Sequence, residues 1–187
     1  QRIKETSSLI RRGQLPGATG SMFRDVVVVG RGVPIMILRF LYMALMKDES
    51  GTIARRAGLA DARRGGYSQR RIKFLTTCDP IRAAAIIADC DPAATLIISI
   101  TMTLTEEIDL ATRILRKWLL QHLGGGSRRP ETIFSKHIIL ITTDDKIARS
   151  KIPESLFRIP RHSQCEPFTS FTAATLLVRS YFAFAYT

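Results

Sequence analysis

The sequence predicts an α/β protein, a three-layer αβα sandwich built on a mostly parallel five-stranded sheet. Three observations lead there. Apolar β-runs alternate with helical patterns along the chain, the order that a parallel sheet with helices on both faces requires. A length of 187 residues suffices for one well-buried domain and is too short for two ordinary ones. A hydrophobic content of 45% suits a packed globule rather than a disordered chain. The domain is expected over residues 21–182, after a basic N-terminal extension (1–20) and before a short tail (183–187).

The first strand candidate is Asp25 to Val29, within the stretch DVVVVGRGVP. It stops at Gly30-Arg31-Gly32, and a strand ending in a glycine turn before a helix is a common anion site, because free N–H groups and the helix dipole both favour negative charge. Val33 and Pro34 follow where a phosphate loop places small residues and a hydroxyl. Val33 adds bulk, while Pro34 removes a donor yet is tolerated in a first helical turn. The turn is therefore expected to keep its shape and lose its grip. It lacks the third glycine of a dinucleotide fingerprint and the Lys-Ser/Thr of a P-loop.

A helix is predicted from Ile35 to Met46, then a strand from Arg71 to Thr76 and a helix from Ile81 to Ala88. Further strands are expected at Thr95 to Ile100, His137 to Thr143 and Leu156 to Ile159, and a last helix at Thr169 to Tyr181. The clearest helix is Glu106 to Leu123. Ile108, Ala111, Ile114, Leu115, Trp118 and Leu119 recur at helical spacing, with acids at the start and bases later, as the dipole favours. Gly124-Gly125-Gly126 ends it. Trp118 lies on the apolar face and reads as core rather than as a stacking platform.

The charge balance is unusual: 28 basic against 16 acidic residues give +12, with a pI near 10.4. Most of the bases are arginine, whose planar fork suits phosphate, so a polyanionic partner is expected. Charge runs are usually solvated faces. Here they flank glycine-rich loops, which makes Arg11, Arg12, Arg63, Arg64, Arg70, Arg71, Arg128 and Arg129 candidates for RNA-phosphate contact. Aromatic residues are scarce near them apart from Tyr67, so base stacking is not expected.

Cys78, Cys90 and Cys165 form no C-x-x-C pair, and His122, His137 and His162 lie in different segments. Neither a disulfide framework nor a metal site is indicated, no cofactor is expected, and a reducing compartment is the default. No apolar run approaches the roughly 18 residues of a membrane helix. The chain does not begin with methionine, so the lack of a presequence is no sign of the cytosol.

In order, DVVVVGRGVP, IKFLTTCDP, ATLIISITMTLTEE, the tryptophan-bearing helix and SKHIILITTDDKIARSKIPESLF resemble the first sugar-isomerase (SIS) domain of glucose-6-phosphate isomerases, a Rossmann-like fold. The resemblance covers roughly residues 20 to 178. It implies a phosphosugar pocket, vestigial here, at Gly30, Gly32, Thr101, Thr103 and Thr105. The family's G-I-G-G-S matches Gly30, Arg31, Gly32, Val33 and Pro34, so the serine is absent. Its S-K-T-F-T-T-Q-E loop matches Thr101 to Glu107 with Met102, or Ile100 one register away, where the lysine stands. Losing one ionic hydrogen bond costs roughly 1.5–3 kcal/mol. The family's V-G-G-R-Y-S matches Gln164 to Thr169, without the arginine. The remaining acid–base residues belong largely to a second SIS domain, for which the chain has no room.

These departures lead to the expectation of a truncated pseudoenzyme with no catalytic residue and no small-molecule substrate. Such a protein would serve as a structural subunit of a ribonucleoprotein, most plausibly a mitochondrial ribosome, partnered by other subunits and by RNA and located in the mitochondrion. Two further readings stay open: a phosphosugar-binding regulator or residual isomerase that completes its site by pairing, and a protein-only scaffold in a respiratory complex.

Overall fold

The computed structural model describes Leu9 and residues 14–46, 71–101, 106–125 and 128–142. Four parallel strands stand in the order β2-β1-β3-β4. In chain order they are β1 (Asp25–Gly30), β2 (Arg71–Leu75), β3 (Thr95–Thr101) and β4 (Ile138–Thr142). The helices are α1 (Val33–Met46), α2 (Pro80–Ile87), α3 (Glu106–Leu123) and α4 (Pro130–His137), with a single 3-10 turn at Pro92–Ala94. The predicted fifth strand at Leu156 to Ile159 and the helix at Thr169 to Tyr181 lie outside the described residues, so the sheet has four strands among those described.

The strands β1, β3 and β4 are buried on both faces, which explains why they read as unbroken apolar runs rather than as alternating patterns. Val27, Val29, Leu75, Ile97, Ile138 and Leu140 face a cluster completed by Ala83 of α2, by Ile108, Leu115 and Trp118 of α3, and by Ile133 of α4. Val26, Val28, Leu96, Ile98, Ile139 and Ile141 turn to the opposite cluster with Ile35 and Leu38 of α1. Two apolar layers thus sandwich one sheet. The successive side chains of each strand feed them alternately.

Local chemistry places the elements. Two Asp-Pro pairs start short helical segments: Asp79 accepts from the Ile81 N–H at 2.9 Å ahead of α2, and Asp91 accepts from the Ala93 N–H at 2.9 Å ahead of the 3-10 turn. In both cases proline occupies the first helical turn, where its missing N–H costs nothing. In α3, Glu106, Glu107 and Asp109 occupy the first turn, and Trp118 is buried as core.

One helix was not legible in the sequence. Residues 124–130 read as a basic loop leading into a strand at His137, whereas Pro130 starts α4 and His137 ends it, with β4 beginning at the next residue. Ile133 and Phe134 are its buried residues between helix ends, too few to show a period, and the Arg116 guanidinium lies 4.3 Å from the Phe134 ring centroid.

Residues 14–20 pack on the core rather than standing apart from it. Gly17 N–H donates to the Ser21 carbonyl at 2.9 Å, and Ala18 N–H donates to His137 Nε2 at 2.9 Å. A Cβ on Gly17 would fall 2.8 Å from the Ala93 carbonyl oxygen, so this close approach demands glycine.

Candidate functional site

In the order β2-β1-β3-β4, the chain runs from β1 outward to β2 and then crosses back to β3 on the other side of β1. The helices that follow β1 and β3 pack on opposite faces of the sheet, α1 with one apolar cluster and α3 with the other, and open α/β sheets bind their ligands at the C-terminal strand ends beside such a reversal. Val29, Gly30 and Arg31 form one wall of a depression there. Thr76 and Thr77, just past β2, and Glu107 and Ile108, in the first turn of α3, also line this small open depression.

Both glycines of the turn are required by geometry. A Cβ on Gly30 would lie 2.7 Å from Ile35 Cδ1 and 2.8 Å from the Ile100 carbonyl oxygen, so the turn is wedged between α1 and β3. Gly32 has φ +77°, the left-handed region that side chains disfavour. Its carbonyl accepts from the Met36 N–H at 3.1 Å and so opens α1, with Val33 and Pro34 as the first two helical residues. The expected turn is therefore present as architecture.

Arg31 and Glu107 form an ion pair across the mouth of the depression. Their side chains are 62% and 48% exposed, so water screens the pair and either partner is free to exchange it for another ion. The sequence showed Glu107 only as part of a dipole-matched helix start. The pairing joins residues 76 positions apart, a distance no local pattern reveals.

Of the other expected pocket residues, Thr101 is buried at the end of β3, opposite Thr142 of β4, and Thr103 and Thr105 lie outside the described residues. Ile100, which stands in one register where the family has its lysine, is buried in the apolar cluster with α1. Met102 is outside the described residues.

The candidate RNA-binding residues divide differently from the expectation. Arg128 and Arg129 are exposed, while Arg11, Arg12, Arg63, Arg64 and Arg70 lie outside the described residues. Arg71 opens β2, where the strand was expected to begin, and its guanidinium is taken up within the sheet. Its Nε donates to Asp25 Oδ1 at 2.7 Å, and its Nη2 donates to Asp25 Oδ2 at 3.1 Å and to the Asp89 carbonyl at 2.6 Å. The hydrogen bonds and charge of Asp25 raise its pKa further. Asp25 is wholly buried, and a buried carboxylate needs that partner. Arg71 was grouped with the loop arginines because it follows Arg70 directly in sequence; the structure makes it part of the sheet's own charge pairing.

His137 sits at the other end of the sheet and is fully buried. Its Nδ1–H donates to the Thr95 carbonyl at 2.8 Å while Nε2 accepts from Ala18, so both ring nitrogens are used by the neutral tautomer. Burial lowers its pKa, and the Phe23 ring meets it edge-on at 5.3 Å. Among the described residues no group of His, Cys, Asp and Glu could hold a metal. Cys90 is buried, donates to the Ile86 carbonyl at 3.3 Å, and has its pKa raised by burial, as suits a structural thiol.

Comparison with known proteins identifies this arrangement. The family model for phosphoglucose isomerase matches residues 1–154. The chain belongs to the phosphoglucose isomerase family. The cytosolic glucose-6-phosphate isomerase of Zea mays is 32% identical over 149 residues, covering 79% of this chain and 23% of the relative. That of Oenothera sinuata var. hirsuta is 32% identical over 144 residues, 76% of this chain and 22% of the relative. The chain thus spans under a quarter of the length of these relatives. The crystal structure of a glucose-6-phosphate isomerase from Chlamydia trachomatis superposes with a TM-score of 0.66 at 18% identity, over 98% of this chain and 30% of that one. A protein from Thermus thermophilus superposes with a TM-score of 0.62 at 20% identity, over 97% of this chain and 38% of that one. These superpositions share the SIS-like fold.

The family overturns the expectation that the chain is a non-enzyme. Its relatives are named isomerases, and membership places it in an enzyme family. The expectation rested on absent side chains, which by themselves do not show that activity is lost. One absent ionic contact weakens a phosphate by roughly 1.5–3 kcal/mol without by itself removing a site.

Proposed function

We propose that this chain forms the phosphosugar-facing edge of a sugar-phosphate isomerase site. The observation that carries this reading is the depression at the C-terminal ends of β1 and β2, where the glycine turn, Thr76, Thr77 and the start of α3 converge in a phosphoglucose isomerase-family domain. Moving a proton between adjacent carbons needs a positioned base and stabilisation of an enediolate. The described depression supplies binding and orientation, and the proton-transfer groups lie outside the described residues. Titration of glucose 6-phosphate into the 187-residue chain should give a saturable calorimetric isotherm at millimolar ligand, with glucose giving none. A flat isotherm for both overturns the reading.

A second role is supported by charge. The net +12 and the exposed Arg128 and Arg129 favour contact with RNA phosphates, as in a ribonucleoprotein such as a mitochondrial ribosome. Co-sedimentation with ribosomal particles that is lost on RNase treatment supports it. Sedimentation that survives RNase points to protein contacts instead, and no sedimentation removes the role.

A further inference from the structure

The depression carries a cation that the family pattern does not include. Arg31 stands at the second position of the turn leaving β1, and its neighbours on both sides are glycines that geometry requires. The backbone there has little freedom, so the origin of the Arg31 side chain is fixed. The guanidinium reaches across the depression to Glu107, and the hydroxyl-bearing Thr76 and Thr77, both exposed, line the same depression.

We infer that Arg31 is the phosphate-binding residue of this site, held in reserve by Glu107 and released to the phosphate of an incoming sugar phosphate. The inference rests on the phosphosugar reading above and names the residue that confers it. The chemistry favours the exchange. A guanidinium binds a phosphate through two parallel hydrogen bonds, and a phosphate monoester carries nearly two negative charges against the single charge of Glu107. The existing pair is exposed on both sides, so no buried charge is stranded when it opens. Neither register of the phosphate loop offers a cation: Ile100 is buried among apolar side chains, and the alternative is Met102.

Glu107 then sets the affinity. While it holds Arg31, the mouth is near neutral, and a phosphosugar must displace a carboxylate to bind. A polyol without phosphate has nothing to offer in exchange, so the pair discriminates in favour of the phosphorylated sugar.

Three proteins test this: the unaltered chain, Arg31→Gln and Glu107→Gln, each titrated with glucose 6-phosphate by calorimetry and checked for fold by circular dichroism. Both substitutions are at exposed positions and leave the core untouched. Arg31→Gln should weaken binding about tenfold or more, as loss of a charge-assisted contact does. Glu107→Gln should tighten it, by about threefold or more, because the competing carboxylate is gone. Equal affinity of the unaltered chain and Arg31→Gln overturns the assignment of Arg31 and leaves the phosphosugar reading standing. Weaker binding by Glu107→Gln overturns the reserve role of Glu107. Absence of binding by all three overturns the phosphosugar reading and this inference together.

Discussion

Arg71 closes both oxygens of the wholly buried Asp25 carboxylate across the β1–β2 pair, with Nε–Oδ1 at 2.7 Å and Nη2–Oδ2 at 3.1 Å. The two residues are also opposite one another in the strand register. Arg24 approaches the same carboxylate at 3.5 Å, a weaker second contact. The pair ties the edge strand to the centre of the sheet at its N-terminal end, away from the depression.

The burial is asymmetric, and this fixes the order of two mutants. Asp25→Asn removes the charge and keeps the shape, leaving an arginine that water can solvate; it should cost about 1–3 kcal/mol. Arg71→Gln leaves the buried carboxylate with only Arg24, and should destabilise the fold more than Asp25→Asn does. Urea unfolding of both variants checks the order. The reverse order would show that Arg24 moves in to replace Arg71.

His137 makes stability depend on pH. Both of its nitrogens are engaged in the neutral form, so protonation removes the acceptor for Ala18 N–H and buries a charge. Its folded pKa is lowered from 6.5. The unfolded chain therefore binds the proton first as pH falls, and stability declines below about pH 6.5. One proton sets a limit of about 1.4 kcal/mol per pH unit on this slope. Unfolding midpoints between pH 7.5 and pH 5.5 should fall for the unaltered chain more steeply than for His137→Gln, which cannot charge. Parallel lines for the two proteins would exclude His137 as the source.

Gly30 is the position where the turn tolerates least. Gly30→Ala puts a methyl group against Ile35 Cδ1 at 2.7 Å and the Ile100 carbonyl at 2.8 Å, and should destabilise by about 1–3 kcal/mol. Adding Ile35→Val would remove only the Cδ1 contact, because valine keeps the Cγ1 that lies 2.8 Å away and the contact with the Ile100 carbonyl is with backbone. The double variant should accordingly remain less stable than Ile35→Val alone, as measured by thermal unfolding.

How much of this was legible in the sequence depends on how far apart the partners lie. The strands β1 and β3 and the helix α3 were readable because each carries its own pattern: Val26 to Val29 form a two-faced apolar run, and Ile108 to Leu119 keep one face. The parallel sheet and the SIS resemblance followed from the order of the elements and motifs, while the strand order β2-β1-β3-β4 came only from the structure. Arg71 was expected at the start of a strand, but its ion pair was not legible, because Asp25 stands 46 positions away and nothing local marks it as a buried partner. Arg31 was visible only as the residue between two glycines, and its partner in α3 emerges when the crossover brings β1 and α3 together. Helix α4 is short, and its two adjacent buried apolar residues, Ile133 and Phe134, carry no period to read.

The structure also changes how RNA contact must be tested. Neutralising all the candidate arginines together would include Arg71, and the loss of its contact with Asp25 would confuse unfolding with lost binding. Arg128 and Arg129 are exposed, and Arg129 lies just ahead of α4 with no side-chain capping bond, so replacing both with glutamine should leave the fold intact. If each contacts one phosphate of single-stranded RNA, the magnitude of the log–log salt slope should fall by about 0.7 per residue, or roughly 1.4 for the pair. The measurement is RNA affinity over a salt series for the unaltered chain and the double variant, with circular dichroism as the control for folding. A folded variant with unchanged slope and affinity would remove these two residues from any RNA contact. A folded variant with weaker binding and an unchanged slope would show that they act through the shape of the loop rather than by releasing counterions.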